Sequence, residues 1–138
     1  MIKSRWVVWN GVGVLHLDYA NFKQDIEALR EEVRQADEEI QREPRGSVLV
    51  LIDLRDTVAT GAVVSLFKES SVLTNPYVRK HALIGVTGMK RFLADKVAKL
   101  ARRPMRLFGT QDEALDWLTK DEPLGAAHPD VIGLVSDV

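Results

Sequence analysis

The 138-residue chain contains no cysteine. That removes disulfides, thiolate catalysis and cysteine-ligated zinc or iron–sulfur sites together, and it fits a reducing, cytoplasmic setting. Long apolar runs are missing as well. The longest, Val48 to Ile52, has five residues, far short of the ~18 that a membrane span requires. Near the start, Asn10, Gly11 and Gly13 break up the apolar residues that follow Lys3 and Arg5, so no signal-peptide core of about seven or more residues forms. Excess charge is also lacking: a formal net charge of -1 argues against a nucleic-acid binder that works through overall basicity. What is present is an ordinary globular composition, 46% apolar and 28% charged, in a chain of one-domain length.

The apolar pattern predicts an α/β domain. Arg5–Trp9 and Val12–Asp18 flank Asn10-Gly11, whose two residues accept the positive φ of a type I′ turn, and they read as an antiparallel hairpin. A long helix is expected over residues 22–43, capped by Asn21, with Phe22, Ile26, Leu29, Val33, Ala36 and Ile40 in steps of four and three. Three heptads barely make a coiled coil, so this stripe is expected to pack on the sheet. Pro44 to Gly46 ends it.

Val48–Leu54 reads as a strand buried on both faces. A helix over Ala62–Leu73 follows, with Val63, Leu66, Phe67 and Ser70 or Ser71 inward. Next come a strand over Lys80–Val86, a helix over Met89–Arg103 opened by Thr87-Gly88, and a strand over Met105–Phe108. Thr110-Gln-Asp-Glu113 is a capping box for a last helix ending near Leu118, whose Trp117 seals the end of the core. The sum is one mixed sheet of about five strands, an antiparallel hairpin and then parallel βα units, with about four helices. Residues 1–120 form this domain, and residues 121–138 form an arm or tail.

That order, with Val48-Leu-Val-Leu-Ile-Asp-Leu54 leading to a Thr-Gly helix start, resembles the STAS domains of the SpoIIAA-like superfamily. His81-Ala-Leu-Ile-Gly-Val-Thr-Gly-Met-Lys-Arg-Phe-Leu-Ala94 and Met105 to Leu118 look more like the uncharacterised branch of that superfamily, the one related to lipid-binding SEC14-like folds. The resemblance covers residues 5–119. It implies a non-enzymatic regulatory or protein-interaction module, with a SEC14-like lipid or small-molecule binding protein as the alternative. Antagonists in this superfamily are phosphorylated within Asp-Ser-Ser-Gly, where this chain reads Val58-Ala-Thr-Gly61. Thr60 keeps the hydroxyl before a glycine and is the candidate phosphoacceptor, but the acid is missing and the loop is shorter.

Parallel strands deliver their C-terminal loops to one rim. The candidate ligand site there comprises Asp53, Thr57, Thr60, Gly61, Thr87, Gly88 and Lys90. Two helix starts would offer free N–H groups to a small anion, a phosphate, carboxylate or lipid headgroup. The plainer reading of Thr60, Thr87 and Thr110 is as helix caps, which need no ligand. Asp53 and Asp56 are too few for a hard cation and read as a strand-end pair with Arg55 between them. No catalytic residue, metal site or cofactor is expected. His16, His81 and His128 have no zinc-site spacing, Gly-x-Ser-x-Gly and the P-loop are absent, and Gly11-Val-Gly13 lies in a hairpin.

Charge is uneven along the chain. Residues 22–43 carry eight acids against four bases, and residues 89–106 carry seven bases against one acid. Lys96, Lys99, Arg102 and Arg103 share a helical face that could steer an acidic protein or an anionic membrane, although most such faces are simply solvated. Trp6 and Trp9 point to opposite faces of an edge hairpin, so one is expected to be exposed and available for self-association, a dimer being the expected form. Bulky Phe22, Phe67 and Phe92 argue against a ligand cavity beneath the helices.

Overall fold

A computed structural model describes residues 3–86, 104–120 and 122. Five strands, β1 (Arg5–Trp9), β2 (Val12–Asp18), β3 (Val48–Asp53), β4 (Val78–Ile84) and β5 (Met105–Phe108), lie side by side in chain order. β1 and β2 are antiparallel, and every later pair is parallel. The hairpin turn takes the expected form, with Asn10 at φ 51° and Gly11 at φ 73°.

Strand alternation divides the core in two. Leu15, Leu17, Val48 and Val50 meet α1 (Ile26–Gln41) and α2 (Gly61–Thr74) on one face. Val12, Val14, Leu49, Leu51, Ala82 and Ile84 meet Ala114, Leu115 and Leu118 of α3 (Gln111–Thr119) on the other. Burial on both faces explains why Val48–Ile52 is a continuous apolar run. α1 buries Leu29, Val33, Ala36 and Ile40, all within 2% of full burial, so the four-three stripe packs inward as expected.

Gly85 ends β4 at φ +78°, where a Cβ would come within 2.6 Å of Arg55, including its backbone nitrogen. Only glycine lets these two strand ends approach so closely. On the α3 face, Thr110 caps the helix by accepting from the Glu113 N–H at 3.2 Å, and Trp117 packs on Phe108 with ring centroids 5.6 Å apart.

Three expectations need correction or restriction. α1 begins at Ile26 with Asp25 as its N-cap, not at Phe22 behind Asn21. Asn21 and Lys23 adopt φ values of 62° and 53°, and their amides donate to the Arg55 and Asp56 carbonyls. Loop-to-loop pairing thus wins over the helical period. Neither Trp6 nor Trp9 is exposed. Both are half-buried: the Trp6 indole donates to Glu39 of α1, and the Trp9 indole to Asp116 of α3. Among the described residues there are three helices. The one expected over Met89–Arg103 lies outside them, as does the tail over 121–138 except Glu122, which pairs with Arg79 at 2.7 Å. No helix among the described residues is long and apolar enough to cross a membrane.

Candidate functional site

The sheet separates the residues expected to share a rim. Asp53 has the strand parity of Leu49 and Leu51, on the α3 face, and is 2% exposed. Its carboxylate accepts from the Arg55 backbone N–H at 3.1 Å and from Nη2 at 2.6 Å. Burial opposes ionisation of Asp53, but the bonds from Arg55 hold its pKa below the usual carboxylate range. The ion pair with Arg55 that the sequence suggested thus forms at Asp53. His16, on the same face, is buried with neither ring nitrogen hydrogen-bonded, and burial lowers its pKa with help from Arg5.

Thr57 and Thr60 lie towards α1 and α2 instead. Thr60 caps α2 by accepting from the Val63 N–H at 3.2 Å, and Gly61 is the first helical residue. The Thr57 hydroxyl donates to the Tyr19 carbonyl at 2.6 Å and accepts from the Phe22 N–H at 3.2 Å. It stitches the loop after β2 to the loop after β3. Thr87, Gly88 and Lys90, and with them the second helix start and the basic face at Lys96–Arg103, lie outside the described residues. No group of three or more metal-ligating side chains occurs among the described residues.

The pattern-based reading missed a cavity. Between α2 and the sheet lies a partly open space of about 80 Å³. Leu17, Val50, Ile52 and Leu83 form its floor, and Val63, Val64 and Phe67 form the apolar part of its roof. Phe67 does not close it, because the next turns of α2 present Ser70, Ser71 and Thr74, whose small side chains leave volume above the strands. Ser70 and Ser71 at inward positions of α2 are the signal of this space in the sequence.

Apart from Ser71, the polar groups around the cavity fall into two kinds. Thr57, Ser70 and Thr74 are engaged within the protein. The Ser70 hydroxyl donates to Asp37 of α1 at 2.6 Å, and the Thr74 hydroxyl to the Ser70 carbonyl at 2.9 Å. Burial raises the Asp37 pKa to about 6 against the opposing bond from Ser70. Tyr19 and His81 differ from these. They are 2% and 5% exposed, and the Tyr19 hydroxyl and His81 Nδ1 have no hydrogen-bond partner. Tyr19 is stacked on Phe67, with centroids 5.7 Å apart. Burial, with Asp37 and Glu32 nearby, pushes its hydroxyl well above the usual range. Burial lowers His81 to about 4, only partly offset by the Pro104 carbonyl. At neutral pH both are uncharged, hydrogen-bond-capable groups in an apolar wall. Among the described residues, no Lys or Arg lines the space.

The chain matches no protein-family model, no curated protein and no solved structure.

Proposed function

We propose that this protein is a non-catalytic binding module that holds a small molecule between α2 and the sheet. One observation carries the reading: a mostly apolar cavity bounded by two buried residues with unpaired polar atoms. Binding sites are commonly concave and apolar with a few placed polar groups, whereas an unpaired buried polar atom costs about 1–3 kcal/mol without compensation. A reaction is not what the groups favour. The Ser70 hydroxyl is committed to Asp37, and neither ring nitrogen of His16 nor Nδ1 of His81 has a hydrogen-bond partner. Within the SpoIIAA-like resemblance this is closer to the small-molecule alternative than to an anion sensor, because the described part of the cavity wall carries no cation.

A second reading, a regulatory module that recognises a protein or itself, is favoured by Val72 and Leu73 of α2, which are 77% and 49% exposed. Native mass spectrometry of the full chain purified from cells separates the two. A small added mass, lost on unfolding and absent from a cavity-filling Ser71→Leu variant, is the expected result. A dimer without added mass supports the recognition reading and contradicts ours.

A further inference from the structure

We infer that the cavity selects an uncharged ligand, no larger than a single ring, whose hydrogen-bonding group pairs with Tyr19 or His81. The inference rests on the binding reading above and specifies what the site takes. Size comes first. A closed apolar cavity of about 150 Å³ holds one benzene, and this space is about 80 Å³ and partly open. A ring can enter partly, and a two-ring or long-chain ligand would need α2 to lift away.

Charge follows from the wall. Among the described residues neither Lys nor Arg lines the space, so an anion would find no cation beside it there. His81 is neutral at pH 7, because burial holds its pKa near 4. Ser70, which could have donated to an anion, already donates to the Asp37 carboxylate behind it. A cation would find no carboxylate among the described lining residues, and removing a charge from water without a charged partner is disfavoured. Polarity follows from the unpaired atoms. The Tyr19 hydroxyl can donate, and neutral imidazole can donate or accept at Nδ1 according to its tautomer. A hydroxyl or carbonyl on the ligand satisfies either, and a pure hydrocarbon satisfies neither.

Four ring compounds of similar size test this on the full chain at pH 7: phenol, toluene, benzoate and benzylammonium, titrated by isothermal calorimetry. Phenol is expected to bind most tightly, with toluene roughly three- to tenfold weaker and both ions weaker still. Tyr19→Phe and His81→Leu report on the pairing. At least one should narrow the phenol–toluene gap by about the same factor while leaving toluene binding in place. Retained toluene binding shows that the variant is folded with its cavity intact. Toluene binding as well as phenol, or an ion binding best, overturns the selectivity but leaves a binding cavity standing. A phenol–toluene gap unchanged in both variants also overturns the pairing. If no compound binds, both the selectivity and the binding reading fail.

Discussion

Asp37 and His81 sit close to the same space but pull stability in opposite directions with pH. The folded pKa of Asp37 is about 6, above its ordinary 3.8, so the folded chain holds that proton more tightly than the unfolded one. The favourable contribution is therefore full below about pH 3.8 and lost as pH rises through 6. His81 is lowered to about 4 from 6.5, so its favourable contribution is present above 6.5 and lost as pH falls through 4. His16, also lowered by burial, adds to the acid loss. Asp37→Asn keeps an oxygen for the Ser70 hydroxyl and removes the buried charge. It should stabilise the protein by about 1–2 kcal/mol at pH 7.5, with the gain gone by pH 4. Without Asp37 to offset the histidines, its stability should fall more steeply on acidification than that of the wild type. Urea denaturation across this pH range measures both effects, and a destabilised variant at pH 7.5 would mean that the ionic bond to Ser70 outweighs burial.

Among the elements, local signals were legible and tertiary ones were not. Asn10-Gly11 and Pro104 act on their own neighbours, and β1, β2 and β5 have the expected bounds. α2 is within one residue of its expected ends because Thr60 caps it and the Asn75 N–H donates to the Ser71 carbonyl. The start of α1 was misplaced because Phe22 fits the period, whereas its backbone is bound by Thr57, thirty-five residues away. No periodicity contains that bond. β4 begins at Val78, where it pairs with Val48, and stops at Ile84, where Gly85 passes close to Arg55; both are long-range constraints. The loop clamp makes its own prediction. Thr57→Val removes a donor to Tyr19 and an acceptor for Phe22 at a site 3% exposed, and should cost about 2–3 kcal/mol. Hydrogen exchange should accelerate at Phe22 and Lys23 more than in β3, and uniform acceleration would mean that the clamp is not local.

At the scale of the whole molecule, the α/β class and a single mixed sheet were readable from the alternation of apolar runs with turn residues. The division of the candidate site was not. Strand parity alone sends Asp53 and its neighbours Ile52 and Leu54 to different sides, so a cluster of loop residues in sequence became two separate environments. The cavity is likewise a property of packing, arising where α2 spans the sheet with small residues beneath it. The most direct test is a methyl NMR titration of the full chain with phenol. Occupancy of this space should shift the methyl groups of Val50, Val63, Val64 and Leu83 in a saturable manner while those of Val72 and Leu73 stay unmoved. Shifts at Val72 and Leu73 alone, or none at saturating phenol, would contradict the account.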